Sequence, residues 1–282
     1  KSVASVPADP AGKQQHVVEV FNFVDAGTSL LLKAQVSTDF HAQTALEAVL
    51  NFLRTYGCPH QMTFDRDPRF TGGTTGGDFP SPLIRFLLCL GIQPNVCPPH
   101  RPDKNAFVER LNRTYNQECL QIFHPQTLEE VRAVTETFLV HYNTERPHQG
   151  RSCGNQPPRV AFPSLPALSM LPSSVDPDAW LASIHGQHFV RKVRQNGTVR
   201  LAEGSYYVDL DRIGQYVDLC VDAQQQAFVI RHRQKLLKQV PIKGLRKALL
   251  PFEQFAALMC QQALSAQRRL QQARQTTTVP VS

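Results

Sequence analysis

Two acidic side chains stand where they could hold a metal ion beside a polyanion. Asp65 directly follows the short apolar segment 61–64, which predicts a strand, and Glu109 lies in the first turn of a predicted helix. Ligand sites in α/β sheets collect beyond the carboxyl ends of strands. Carboxylates brought together there repel each other and are stabilised by a divalent cation. The pair therefore predicts a site for Mg²⁺ or Mn²⁺, where two ions can activate a nucleophile and stabilise a leaving oxygen on phosphorus.

Basic side chains surround Glu109 and recur near the C-terminus. The candidates for phosphate contacts around the acid are Arg101, Lys104 and Arg113. Two further clusters, with Tyr206 and Tyr207 nearby, are Arg191, Lys192, Arg194 and Arg231, Arg233, Lys235. Cations interleaved with aromatic rings predict sequence-tolerant binding of nucleic acid.

The charge of the chain is unevenly distributed. The 282 residues carry a net charge of +7, but residues 1–176 hold 15 Lys/Arg and 16 Asp/Glu, whereas residues 177–282 hold 15 and 7. The excess is C-terminal, which indicates two parts and an anionic partner for the second. A basic surface that serves only solubility is the other interpretation of the charge.

Cysteine spacing and hydropathy exclude several classes of protein. The seven cysteines form no C-x-x-C pair, which argues against a zinc ribbon or a disulfide scaffold. No apolar run approaches the roughly 20 residues of a membrane span. We expect a cytoplasmic, nucleoid-associated protein without a membrane partner.

Apolar periodicity predicts an α/β arrangement up to about residue 142. Residues 1–16 look loop-like, and the predicted order is strands 16–24 and 29–36, helix 42–56, strand 61–64, helix 82–90, strand 93–96, the Glu109 helix 106–119 and helix 127–142. Thr127 and Glu130 have the spacing of a capping box. Six prolines between 153 and 178 then predict an extended linker.

Five short strands are predicted after the linker, followed by one long helix. The strands cover 188–193, 198–202, 205–208, 216–221 and 227–231, with Asn196-Gly197 as a hairpin turn. Five strands in so short a segment fit a small barrel. The helix, 251–275, carries an apolar side that could pack on a partner subunit.

Three motifs in order carry a resemblance to a known family. They are residues 63–67 (TFDRD) with Phe70, residues 101–110 (RPDKNAFVER) and residues 141–148 (HYNTERPH). Over about residues 15–160 the chain resembles the catalytic core of DDE integrases and insertion-sequence transposases. The resemblance implies an RNase H-like core at 1–152. The proline-rich linker covers 153–179, and residues 180–245 resemble the small SH3-like or OB-like barrels that follow the core in several transposases, which makes them the candidate for DNA binding. A C-terminal helix and tail cover 246–282.

The same resemblance implies a function. Asp65 and Glu109 match the second and third catalytic acids and metal ligands. The implied activity is 3′-end cleavage of DNA and strand transfer by a homo-oligomer that acts on element ends and target DNA. A nuclease that only hydrolyses, and a catalytically dead remnant that still binds DNA, are the alternatives.

The first catalytic acid has no clear match. Only two strands are predicted before helix 42–56, so the first strand and its acid would lie before Lys1, and the chain would be an N-terminally truncated copy. Asp25, in a predicted turn, is the alternative, and Asp9 is a weaker one. Asp67, next to the second acid, is expected to cap the turn at Pro68.

Overall fold

The computed structural model describes residues 2–6, 16–39, 41–71, 79–98, 106–150, 152–201 and 204–277. The chain divides into two compact units, each described below by itself. The N-terminal unit comprises Lys1–Pro59, Thr63–Arg66 and Asn95–Met170, and the C-terminal unit comprises His60–Met62, Asp67–Pro94 and Leu171–Ser282.

The described part of the chain contains both helices and strands throughout. The strands are β1 (Ser2–Val6), β2 (His16–Val24), β3 (Leu31–Ser37), β4 (Gln61–Phe64), β5 (Gln93–Val96), β6 (Ser174–Val175), β7 (His188–Lys192), β8 (Thr198–Leu201), β9 (Gly204–Tyr207), β10 (Tyr216–Asp222), β11 (Ala227–His232), β12 (Lys235–Pro241) and β13 (Leu250–Pro251). The α-helices are α1 (Ala42–Tyr56), α2 (Pro68–Thr71), α3 (Pro82–Cys89), α4 (Ala106–Tyr115), α5 (Gln121–Phe123), α6 (Leu128–Thr144), α7 (Pro158–Ala161) and α8 (Phe252–Thr277). A π-helical turn covers Asn116–Leu120, and 3₁₀ turns cover Ala179–Ile184 and Leu210–Arg212. None of the helices described is long and apolar enough to cross a bilayer.

The N-terminal unit is built on an antiparallel meander of three strands, β1, β2 and β3. The sequence predicts only two of them, because residues 1–16 look loop-like, and that prediction is wrong for β1. The two valines of the strand, Val3 and Val6, do not alternate as in a half-buried strand, so it shows no period of two. It is defined by its pairing with β2, where Val3 pairs with Glu19.

One face of the meander packs against α4 and α6. Val18 and Val20 of β2 join Leu111 and Tyr115 of α4 and Phe138 of α6 in one buried cluster. The other face meets α1, where the rings of Phe23 and Phe52 stack with centroids 4.6 Å apart. Burial of this apolar surface fixes α4 against the sheet.

The start of α6 confirms the helix cap predicted from sequence. Thr127 Oγ1 accepts a hydrogen bond from the Glu130 N–H at 3.1 Å. Glu130 in turn accepts from the Gln126 N–H rather than from Thr127. The cap satisfies donors that the first helical turn would otherwise leave open.

The C-terminal unit contains a four-stranded antiparallel sheet in the order β12-β11-β10-β7 and a separate hairpin, β8-β9. The described strands of this unit do not close into the barrel that the sequence analysis expects. Their core includes Trp180, Phe189 and Phe228, and Phe79 packs on all three from the segment that precedes α3.

The long C-terminal helix α8 belongs to the core of this same unit. Phe255 of α8 stacks on Phe86 of α3 with ring centroids 5.5 Å apart, and Met259 is buried one turn later. The sequence predicts that the apolar side of this helix packs on a partner subunit. In the structure, the part of that side that includes Phe255 and Met259 packs within the same chain.

Strand β12 is absent from the sequence prediction because its turn carries no glycine or asparagine. His232 pairs with Lys235, and the two residues between them, Arg233 and Gln234, have φ of 46° and 67°. Positive φ at both central positions is the geometry of a two-residue hairpin turn that Asn-Gly normally marks.

We expect Gln234→Gly to raise the free energy of unfolding by about 0.5–1 kcal/mol, because glycine adopts positive φ without a Cβ clash. Urea unfolding followed by circular dichroism measures the change. The control Gln239→Gly, in the middle of β12, should change stability in the opposite direction. Destabilisation by both substitutions would contradict this account of the turn.

Candidate active site and nucleic-acid interface

Asp65 is exposed and directly follows β4. The Gln93 N–H donates to the His60 carbonyl, and four residues on the Cys97 N–H donates to the Phe64 carbonyl. From the first bond to the second, both strands move four residues toward their C-termini, so β4 and β5 are parallel. Their carboxyl ends therefore lie at the same edge of this two-stranded sheet. Asp65 follows β4 at this edge, and the segment that leads to α4 follows β5.

Asp67 is occupied with local structure, as the sequence predicts. Its carboxylate accepts from the backbone N–H and the guanidinium of Arg69. Its carbonyl accepts from the N–H groups of Phe70 and Thr71, which begins α2. These bonds support the capping role and leave Asp65 as the acid beyond the strand.

Helix α4 presents Glu109 on its exposed side. Arg113 and Asn116 are also exposed, whereas Leu111 and Tyr115 are buried. Glu109 and Arg113 are one helical turn apart, a spacing that also suits a surface ion pair, but within the described residues no ion pair joins them. The carboxylate is therefore accessible to a ligand.

One buried and one half-buried polar contact fix α4 in place. The hydroxyls of Tyr115 and Thr135 share a hydrogen bond of 2.6 Å in the interior, and the Asn22 amide on β2 donates to Asn112 at 3.2 Å. Burial raises the pKa of Tyr115, which therefore remains a neutral hydrogen-bonding group. Helix α4 thus has few ways to rotate Glu109 away from its position.

The π-helical turn that continues α4 is joined to the end of α6 by a two-bond ion pair. Arg146 Nε and Nη2 donate to the two carboxylate oxygens of Glu118 at 2.7 and 2.8 Å. These bonds lower the pKa of Glu118. Fork-to-fork pairing fixes orientation as well as distance, so the pair holds the C-terminal end of the Glu109 helix against α6.

His148 completes this corner without carrying charge. Burial and the nearby Arg146 lower the pKa of its ring, and its Nδ1 accepts from the Gly150 N–H at 3.3 Å. The ring lies edge-to-face with Tyr142. The motif 141–148 therefore supplies packing at the end of α6 rather than a proton carrier.

Asn143, from the same motif, is a residue that sequence reasoning missed. Its Oδ1 accepts from the Leu31 N–H at 3.0 Å, and its Nδ2 donates to the Leu31 carbonyl at 2.9 Å. Both bonds are buried, and Leu31 lies on β3, an edge strand of the meander. The Asn143 amide thus makes the two backbone hydrogen bonds at Leu31 that a neighbouring strand would otherwise make.

The acids provide donors of the type that a divalent metal requires, although they do not form a complete cage. Among the residues described, no group of three or more His, Cys, Asp or Glu side chains is arranged to hold a metal ion. Asp65 and Glu109 are accessible carboxylates, and hard oxygen donors suit Mg²⁺ and Mn²⁺. Arg101 and Lys104 lie outside the described residues.

Asp25 has a structural role in the β2–β3 turn. Its Oδ2 accepts from the Thr28 N–H at 2.8 Å and from the Thr28 hydroxyl at 2.6 Å. An aspartate that bonds the backbone three residues on is a common turn-forming arrangement. Asp9 lies outside the described residues.

The first C-terminal cluster forms a single basic groove in the C-terminal unit. Arg191, Lys192 and Arg194 line it together with Arg200 of β8, and none of the lining residues that the structure describes is acidic. Arg200 is absent from the predicted clusters because no other basic residue lies next to it in β8, where exposed and buried residues alternate. We call this surface the basic groove.

The second cluster is divided. Arg231 and Arg233 line another groove, which also contains Asp218, whereas Lys235 is exposed on β12 and lines neither groove. Asp218 Oδ2 lies 2.7 Å from His188 Nδ1. The carboxylate reduces the positive field of this second groove, so the basic groove is the stronger candidate for a phosphate backbone.

Comparisons with known proteins match parts of this chain. Residues 90–158 match the family model described as an integrase core domain. An uncharacterized 39.2 kDa protein of insertion element IS476 from Xanthomonas euvesicatoria is 31% identical over 102 residues, which cover 36% of this chain and 27% of the relative. An uncharacterized 31.7 kDa protein of insertion element IS407 from Burkholderia multivorans is 28% identical over 95 residues, covering 34% and 31%. The chain therefore spans about three tenths of the length of these relatives.

Two solved structures are similar at low identity. The catalytic core domain of BIV integrase is 20% identical with a TM-score of 0.39, covering 57% of this chain and 91% of that one. A simian T-cell lymphotropic virus intasome in complex with the PP2A regulatory subunit B56 gamma is 12% identical with a TM-score of 0.40, covering 89% and 77%.

The family match covers the Glu109 part of the candidate site, whereas Asp65 lies outside it. The integrase core segment includes β5, α4 with Glu109, and α6 with its 141–148 motif. The chain therefore carries, at residues 90–158, a segment that matches an integrase core domain.

Proposed function

We propose that this protein is a DNA transposase or integrase that cleaves 3′ ends with water and then joins the new 3′-hydroxyl to target DNA. The observation that carries the proposal is the placement of the two acids. Asp65 lies beyond the carboxyl end of β4, and Glu109 lies on a helix that polar contacts hold in place. The matched integrase core segment contains Glu109.

Each residue has a distinct role in the proposed chemistry. Asp65 and Glu109 would hold Mg²⁺ or Mn²⁺, which supplies an activated nucleophile and stabilises the leaving oxygen. Arg113, exposed one turn after Glu109, would contact a substrate phosphate. The Arg146–Glu118 pair would keep α4 oriented during both displacements. A multimer that brings paired ends together is part of the proposal.

The first acid stays a prediction. The two bonds from Thr28 to Asp25 support a turn role for that carboxylate rather than a metal-binding one. Substituting Asp25 by asparagine in an active protein distinguishes the two roles, since a metal ligand would be needed for cleavage and a turn residue would affect mainly stability.

The test of function is a strand-transfer assay on DNA that carries the element ends, using the protein expressed from its complete reading frame. Joined products that require Mg²⁺ or Mn²⁺ are the expected result. Hydrolysis without joining would favour the nuclease alternative. DNA binding without either reaction would favour the catalytically dead alternative.

Binding of DNA through the basic groove is tested separately. We expect the double variant Arg194→Gln/Arg200→Gln to weaken duplex binding and to reduce the slope of log K against log salt by about 2, because each lost phosphate contact removes about 0.9 from that slope. Binding of a labelled duplex between low and physiological salt measures both.

The matched control is Lys247→Gln, an exposed cation that lines neither groove. It should leave the slope nearly unchanged. All of these variants belong in the whole chain, because Phe79 lies far from the C-terminal strands in sequence and packs into their core. An unchanged slope in the double variant would remove the groove from the proposed interface.

A further inference from the structure

The adjacent tyrosines of β9 face opposite sides of the hairpin, so one is buried and the other is exposed. Tyr206 is buried, packs edge-to-face on Phe228, and accepts from the Lys243 N–H at 3.1 Å. Burial raises its pKa. Tyr207 is 52% exposed. Tyr206 therefore belongs to the core, and Tyr207 presents an aromatic ring to solvent.

The exposed ring of Tyr207 lies among cations. Lys238 Nζ lies 4.6 Å from the ring centroid. In the β8–β9 register Tyr207 pairs with Thr198, and Arg200 pairs with Ser205. Directly paired residues share a face, so Arg200 and Tyr207 are diagonal neighbours whose side chains lie on the same side of the hairpin. Diagonal neighbours of this kind have Cα atoms about 7–8 Å apart.

Arg200 connects this ring to the basic groove, because it also lines that groove with Arg191, Lys192 and Arg194. The basic groove thus has one exposed aromatic ring beside it, on the same face of the hairpin as Arg200. Cations alone suit the backbone of any nucleic acid. An accessible ring adds a surface on which a base can stack, provided that the base is not already stacked within a duplex.

We propose that Tyr207 is a stacking platform for an unpaired base of DNA whose backbone follows the basic groove. The proposal rests on the proposed function, since it takes DNA as the substrate, and it adds that the C-terminal unit distinguishes unpaired from paired nucleotides. Lys238 holds the ring from one face and contributes charge to the same surface. The substrate class is single-stranded or locally unpaired DNA.

The test compares one oligonucleotide, carrying a central 2-aminopurine, as a single strand and as a duplex, with the whole chain. Tyr207→Ala and Tyr207→Leu should weaken binding of the single strand about tenfold or more and change duplex binding less than about twofold. Tyr207→Phe should retain wild-type binding, because it keeps the ring. The wild-type protein should quench the 2-aminopurine fluorescence, and the leucine variant should not.

The leucine variant keeps a large apolar side chain on the strand, so loss of folding does not explain its effect, and near-ultraviolet circular dichroism checks this. Equal losses for single strand and duplex, or no loss for either, would overturn the stacking platform. The two proposals fail separately. If single-strand binding depends on the Tyr207 ring but no strand transfer occurs, the stacking platform is supported and the proposed function is contradicted. If strand transfer occurs and single-strand binding does not depend on the ring, the proposed function is supported and the stacking platform is contradicted.

Discussion

Replacing Glu109 by glutamine is expected to reduce metal-dependent cleavage and strand transfer about a thousandfold or more. The substitution preserves the size and polarity of the side chain but removes the negative charge that a divalent cation requires. Metal ions contribute several kcal/mol to displacements at phosphorus, and each 1.36 kcal/mol is about tenfold in rate. Asp65→Asn should have a similar effect, because both acids would hold the same ions.

The control for this experiment is Glu136→Gln, an exposed acid on α6. It should leave the reaction unchanged. Duplex binding in the absence of divalent metal should also be unchanged in Glu109→Gln, because the substitution does not touch the basic groove. If Glu109→Gln retained activity within a few-fold of wild type, the assignment of the third acid would be wrong.

Asn143→Ala should destabilise the N-terminal unit by about 2–4 kcal/mol. The substitution leaves both the N–H and the carbonyl of Leu31 buried without their partner, and each such orphaned group costs about 1–3 kcal/mol. Leu31 itself is almost completely buried, so water has little access to either group. Hydrogen exchange across β3, together with urea unfolding, measures the loss.

Two further variants make this prediction specific. Asn143→Asp keeps an acceptor for the Leu31 N–H but loses the donor to the carbonyl, so it should also be destabilising. Glu136→Ala, on the exposed side of the same helix, should change stability by no more than about 0.5 kcal/mol. If Asn143→Ala lost no more stability than Glu136→Ala, the amide would not be the partner that β3 needs.

Periodicity predicted the elements whose pattern is long enough to repeat. The structure confirms α1, β2 and α6 close to their predicted bounds, because each has a buried face or a cap that can be read locally. Strand β1 and strand β12 were missed for local reasons. The valines of the first do not alternate, and the second follows a turn of Arg233 and Gln234 that contains no residue typical of positive φ.

The paired contacts between distant segments could not be predicted in the same way. The amide of Asn143 and the backbone of Leu31 are 112 residues apart in the chain, and Glu118 and Arg146 are 28 apart. Nothing in the local pattern of either partner indicates the other. Arg200 joins the basic groove for the same reason, since its position depends on how the β8–β9 hairpin lies beside β7.

By itself, the sequence determined the candidate acids, the resemblance to the integrase family and the helix that carries Glu109. Residue type and local spacing specify these features, because carboxylates, caps and apolar periodicity act over a few residues. Only the tertiary structure decided which side chains are free to act. It placed Glu109 on an exposed helix face, occupied Asp67 and Asp25 with local hydrogen bonds, and separated a buried Tyr206 from an exposed Tyr207. Burial and pairing arise when distant segments pack, and they decide whether a polar group is a ligand or part of the framework.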